Sequence, residues 1–190
     1  MNGGESMDLS GKFLIAMPGM GDRRFERSVI LLCRHSGQGA MGLIVNKPRP
    51  DLAFPALLEQ VGLDCAPGSR EIRVHFGGPV ELGRGFVLHS DDYHNQPATL
   101  DVAEGFALTG TMDILEALAK GEGPRDVLVA LGYAGWGPGQ LEAEILHNAW
   151  LTCDAPPELV FSGDASAKWG AALGLLGIDP VMLSAAAGRA

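Results

Sequence analysis

Cysteine is scarce in this chain: Cys33, Cys65 and Cys153 are the only three, and no two form Cys-x-x-Cys. An odd, scattered set excludes a complete disulfide framework and fits a reducing compartment. Positive charge is also short, with 14 Lys and Arg against 23 Asp and Glu and a net charge of −9. That balance opposes the phosphate contacts on which nucleic-acid binding rests, so direct binding of DNA or RNA is not expected. The one arginine cluster, Arg23, Arg24, Arg27 and Arg34, is diluted by Asp22 and Glu26 and reads as solvated surface. Aromatic residues make up 6% and do not interleave with basic ones, which leaves no RNA-stacking pattern. No apolar run approaches the length of a membrane span, and no membrane association is expected.

Signatures of chemistry are missing too. There is no G-x-S-x-G elbow, no P-loop and no G-x-G-x-x-G, and no helix-turn-helix is evident. Residues Met1 to Ser10 have neither a basic start nor an apolar core, so no signal peptide is expected there. Residues 1–8 are expected to form a disordered tail ahead of a single domain over 9–190, in the cytoplasm.

What is present is a series of short apolar runs punctuated by turn residues. Phe13–Met17 stops at Pro18. Ser28–Val45 reads as a β-hairpin around Ser36-Gly37-Gln38-Gly39. Leu52–Val61 has apolar residues at helical spacing, with Asp51 as N-cap and Gly62 as C-cap. Ile72–Phe76 and Phe86–His89 read as strands, and Ser90–Pro97 as a polar loop. Thr111–Lys120 fits a helix, Val127–Leu131 a strand, and Ala149–Cys153 an extended segment. Helices are expected over Ser166–Leu176 and from Pro180, the latter capped by Asp179. Strands and helices do not alternate strictly, which favours α+β over a doubly wound parallel sheet.

The densest stretch is Leu131–Ile145, read as a strand end, a glycine turn and a helix start. Gly137 is the expected N-cap, Pro138 suits the first turn, and Gln140 can reach back to a backbone N–H. Gln140, Glu144 and Asn148 are spaced i, i+4, i+8, a polar stripe that could line a small pocket beside Tyr133 and Trp136. A second constellation is His89-Ser90-Asp91-Asp92-Tyr93-His94, with His75 nearby. Its residue types suit a divalent metal, but its spacing matches no metal motif and turn chemistry explains the aspartates. Cys33 and His35, at i and i+2, are expected on one face of a strand, as a buried thiol beside a hydrogen-bonded histidine.

Three blocks taken together carry a family resemblance. The first is Gly11-Lys-Phe-Leu-Ile-Ala-Met-Pro18-Gly-Met20-Gly-Asp22, continuing through Phe25-Glu-Arg27-Ser28 to Gly39-Ala-Met-Gly-Leu-Ile-Val-Asn46-Lys47-Pro48. The second is Phe76-Gly-Gly-Pro-Val80 with Gly85-Phe-Val-Leu-His89-Ser90. The third is Leu131-Gly-Tyr-Ala-Gly-Trp136-Gly-Pro-Gly-Gln140-Leu-Glu142-Ala-Glu144-Ile with Asn148-Ala-Trp150-Leu. From about Leu9 to about Gly188 the chain resembles the AlgH/YqgE family of bacterial proteins. The resemblance implies a single α+β domain with coiled, barrel-like, mostly antiparallel or mixed sheets and packed helices, in the bacterial cytoplasm. It brings the label of transcriptional regulator, from a link to alginate production in one branch, and no agreed enzymatic activity.

The leading expectation is therefore a non-enzymatic regulator that acts through a protein partner or a small ligand, with no cofactor or metal. Its site is expected where three turns converge: Asn46-Lys47-Pro48, Gly77-Gly78-Pro79 and Tyr133–Gln140. The expected ligand residues are Asn46, Lys47, Gly77, Gly78, His89, Tyr133, Gly135, Trp136, Gln140 and Glu144. The alternative is a hydrolase or metal-dependent enzyme using His35 or His89 with Glu144 or Asp91.

Overall fold

The computed structural model describes residues 7–95 and 97–187. Residues 1–6 of the expected tail, position 96 of the expected polar loop, and residues 188–190 lie outside the described residues. The first strands are β1 (Lys12–Ala16), β2 (Val29–Ser36) and β3 (Gly39–Ile44). Phe13, Leu14 and Ile15 of β1 are fully buried, as are Val29 to Leu32 of β2. Strands covered on both faces read as continuous apolar runs, which is why these runs do not alternate. Each such side chain contributes on the order of 1.5–3 kcal/mol on burial.

Then follow β4 (Pro48–Ala53), α1 (Phe54–Gln60), β5 (Arg73–Phe76), β6 (Val80–His89), β7 (Thr99–Ala103) and β8 (Phe106–Thr109). The chain continues through α2 (Met112–Ala119), β9 (Val127–Trp136), α3 (Gln140–Leu146) and β10 (Trp150–Asp154). It ends in α4 (Pro157–Val160), α5 (Lys168–Leu175) and α6 (Pro180–Ala187). Among the described residues the strands make one curled, half-barrel sheet in the order β10-β1-β2-β3-β9-β6-β8-β7, with β5 also on β9 and β4 on β5. Every pairing is antiparallel except β5 with β9. The fold is α+β. Among the described residues no helix is long and apolar enough to cross a membrane.

Strand β9 is the hub. One edge pairs with β6 from Val127 to Tyr133. The other pairs with β5 at Val129–Leu131 and with β3 at Ala134–Trp136. Gly77 makes the handover: its N–H donates to the Leu131 carbonyl at 2.8 Å, and its carbonyl accepts the Ile44 N–H at 2.9 Å. Gly78 lies so close to β9 that a Cβ there would overlap the Tyr133 backbone. Only glycine permits that approach.

Helix α5 is docked by two side chains that reach the sheet's backbone. Lys168, buried, donates to the carbonyls of Val45 (2.8 Å) and Val160 (2.6 Å), and burial pulls its pKa down to about 8. Trp169 donates its indole N–H to the Ala16 carbonyl at 2.9 Å.

Several local expectations need correction. The glycines at 132 and 135 are not a turn, because β9 continues through both to Trp136. The N-cap of α3 is Gly139 (φ 74°) rather than Gly137, and Pro138 precedes the helix. Helix α1 starts at Phe54, with Pro55 in its first turn; Asp51 lies in β4, paired with Arg49, and caps nothing. Gly62 follows the C-cap Val61 at φ 77°, closing a Schellman-type end through Leu63 N–H to Leu58 O. The β7–β8 hairpin fills a stretch where the sequence suggested no strand. Cys33 and His35 do not share a face. A bulge between Leu32 and Arg34 shifts the parity of β2, so Cys33 packs with Leu31 and Leu43 while His35 meets Leu9 and Glu142 on the other side.

Candidate functional site

The third sequence block builds a cleft of about 450 Å³. Its walls are the Met20–Phe25 loop, Pro79 and Val80, the β9 end at Gly135–Trp136, Gln140 and Glu144 of α3, and Ala149–Trp150. At its floor the Glu144 carboxylate collects three donors. The indole N–H groups of Trp136 (2.9 Å) and Trp150 (2.8 Å) both donate to Oε2, and the Gln140 amide donates to Oε1 at 3.0 Å. Gln140 in turn accepts the Gly137 N–H at 3.0 Å, so the expected reach-back to the backbone is made. Phe25, Trp150 and Trp136 stack edge to face, with centroids 5.8 and 6.0 Å apart. Arg24 at the rim is committed to Asp22 through contacts of 2.6 to 3.2 Å.

Of the expected site residues, Gly135, Trp136, Gln140 and Glu144 line this cleft. Asn46 and Lys47 support its loop from outside. Asn46 accepts the Val29 N–H (2.9 Å) and donates to the Arg27 carbonyl (2.8 Å), while Lys47 donates to the Arg24 carbonyl at 2.8 Å. Partial burial lowers the Lys47 pKa. Gly77 and Gly78 set the backbone that delivers Pro79 and Val80. Tyr133 opens instead onto a second groove and packs edge to face on Phe86, 5.8 Å away. Burial, then the neighbouring Glu81, raises its pKa.

His89 is elsewhere and fully buried. Its Nδ1–H donates to the Ser90 carbonyl at 2.7 Å, and its Nε2 accepts from the Thr109 hydroxyl at 2.8 Å. Burial lowers its pKa. Asn148 leaves the polar stripe, because α3 ends at Leu146 and Asn148 takes φ 59°.

The catalytic pairings of the alternative reading are not formed. His35 Nδ1 accepts the Leu9 N–H (3.1 Å), which puts the ring proton on Nε2, and Nε2 meets Glu142 at 2.7 Å rather than Glu144. Asp91 accepts the Gly105 N–H. Neither His35 nor His89 lines the cleft or the larger groove beside it. Among the described residues no three His, Cys, Asp or Glu side chains are grouped as metal ligands.

Sequence reasoning passed over Asp22, Phe25 and Trp150 as site residues. The signal for Trp150 was present in the third block, six residues beyond Glu144.

The AlgH-like family model (DUF179) matches residues 13–181, and the chain belongs to that family. A UPF0301 protein of Cereibacter sphaeroides is 61% identical over 184 residues, spanning 97% of this chain and 100% of the relative. One from Ruegeria pomeroyi is 58% identical over 185 residues, with 97% and 100% covered. The solution structure of the AlgH protein from Pseudomonas aeruginosa superposes with a TM-score of 0.79 at 43% identity, covering 97% of each chain. A crystal structure of a Corynebacterium diphtheriae protein shares the fold, with a TM-score of 0.70 at 23% identity over 92% of this chain and 89% of that one.

Proposed function

We propose that this AlgH-like protein is a non-catalytic binding module, and that its site is the cleft floored by Glu144. Any influence on transcription then passes through what the cleft holds, since a net charge of −9 opposes direct contact with DNA. The observation that carries this reading is the Glu144 carboxylate itself. Three uncharged donors hold it in place, and no cation bonds to it among the described residues. A carboxylate oriented by dipoles keeps its charge available and suits a ligand that brings a cation or several N–H donors. The edge-to-face aromatic chain beside it suits an apolar portion of the same ligand. Among the described residues the two carboxylates that line the cleft are both held by neighbours, Asp22 by Arg24 and Glu144 by its three donors, so the geometry favours holding over reaction.

The test is a native mass spectrum of protein freshly purified from cells, beside its denatured mass, for the wild type and Glu144→Gln. Glutamine keeps the shape and loses the charge. A mass excess lost on denaturation in the wild type and missing from the variant is expected. An excess of the same size in both proteins sinks the Glu144 site. For ligands lost in handling, the Trp136 and Trp150 indole resonances are followed by NMR while a macromolecule-free cell extract is added. Indole signals that stay fixed while other parts of the chain respond also sink it.

A further inference from the structure

Next to the Glu144 cleft lies a larger groove, about 860 Å³ against about 450 Å³, which shares Val80, Gly135 and Trp136 with it as a common wall. Its apolar lining includes Met41, Phe86, Leu108 and Tyr133. Among the described residues its charged lining is Arg34 and Arg84; Glu81 stands outside that lining but pairs with Arg84 and meets the Tyr133 hydroxyl. That is a marked inversion in a chain with 23 acidic and 14 basic residues.

Arg34 is unpaired among the described residues, and Arg84 is held only by one long contact. The β2 bulge sets Arg34 opposite Met41 in register, and among the described residues its guanidinium has no hydrogen-bond or ion-pair partner. Arg84 lies over the Phe86 ring, 5.0 Å from the centroid, and touches Glu81 only at 3.4 Å. A guanidinium stacked on an aromatic face keeps its N–H edge free for an anion. At the rim, Val80 and Leu100 remain 36% and 40% exposed, apolar surface that a bound molecule would cover.

We infer that this groove binds a small amphipathic carboxylate, with the apolar body on Met41, Phe86 and Leu108 and the head between Arg34 and Arg84. The volume lies within the range of small-molecule sites. Charge complementarity decides the head group: the unpaired Arg34 guanidinium, with Arg84 beside it held to Glu81 at 3.4 Å, selects an anion, and the planar guanidinium forks match a carboxylate. This site rests on its own residues and stands whether or not the Glu144 cleft holds a ligand.

Decanoate is the probe, with decanol as the uncharged control and acetate as the bodiless one. Amide and methyl NMR shifts are followed in the full chain, with affinities from the titration. Saturable shifts at Met41, Phe86, Leu108 and Tyr133 with decanoate are expected, with decanol and acetate at least about tenfold weaker. Arg34→Gln and Arg84→Gln each weaken decanoate about tenfold, the loss of one charge-assisted hydrogen bond at a partly solvated site. Both side chains are exposed, so the variants keep the fold, checked by their unchanged core resonances. Decanol binding as tightly as decanoate, variants that bind unchanged, or shifts that map elsewhere overturn the proposal. So do groove shifts that follow protein concentration alone, which would assign the groove to a second copy of the chain. Shifts produced by an acidic, leucine-rich peptide and none by decanoate would assign it to a protein partner and overturn it as well.

Discussion

Trp136 closes β9 and Glu144 lies within α3, and across the turn between them the indole N–H of one ends on the carboxylate of the other at 2.9 Å. The same oxygen accepts the Trp150 indole N–H, so a single carboxylate ties β9, α3 and β10 together. Its structural role can be separated from its proposed binding role.

Replacing Glu144 by alanine leaves two buried indole donors without an acceptor. The expected cost is about 1–3 kcal/mol, read as a lower urea midpoint at unchanged slope. Glutamine keeps an oxygen for the indoles and loses only the match to Gln140, so it should cost less than half as much. Equal losses for the two variants would show that the indole contacts do not carry the effect.

Gly78 and Gly139 separate two reasons for glycine. A methyl group on Gly78 overlaps the Tyr133 backbone, whereas at Gly139 nothing lies within 4 Å and only the left-handed φ of 74° objects. Gly78→Ala should therefore destabilise by about 3 kcal/mol or more, and Gly139→Ala by about 1–2 kcal/mol. Thermal melts of both decide it; similar losses would mean that β9 yields to the added methyl.

Acid sensitivity should begin well above the carboxylate range. Burial, helped by the charge of Lys168, lowers the pKa of His75 from 6.5 to about 4. Between those values the unfolded chain takes up a proton that the folded chain refuses. Stability is thus fully present above pH 6.5 and falls as pH drops toward 4. One such histidine gives a slope of at most about 1.4 kcal/mol per pH unit, and buried His89 acts in the same direction. Urea midpoints at pH 7 and pH 5 should differ in the wild type and differ less in His75→Phe. An equal difference in both would clear His75 of the effect.

Thiol labelling should follow burial. Cys33 is in the core and its pKa is pushed up to about 12, while Cys65 and Cys153 are only partly buried. Iodoacetamide at neutral pH is expected to modify Cys65 and Cys153 in the native protein and to reach Cys33 only on unfolding. Labelling of all three at one rate would mean that β2 opens readily.

The strands that the sequence marked clearly were those with continuous apolar runs, such as Phe13–Ala16 and Val29–Leu32, and the hairpin that follows. The residues of those two runs are buried on both faces, so pattern and structure say the same thing. The β7–β8 hairpin was not legible because its strands are short and β7 mixes Leu100 and Asp101 on exposed positions. Half of β9 was misread as a turn. Its Gly132 serves the close approach of Gly78 to the strand, and local rules read glycine as punctuation.

The sequence by itself determined the α+β class, the family, and the polar–aromatic segment from Tyr133 to Glu144, because these depend on local periodicity and on strings of residues in order. Only the tertiary structure decided which of those residues share a cavity. It placed Tyr133 and Glu144 in neighbouring but separate hollows, withdrew His89 into the core, and added Asp22, Phe25 and Trp150 to the cleft. It also turned Arg34 toward the large groove, through one extra residue in β2 that reverses the facing of all that follow it. A bulge has no compositional signature, and hydrogen bonds between distant segments leave no period in the chain; both are set by how the strands pair.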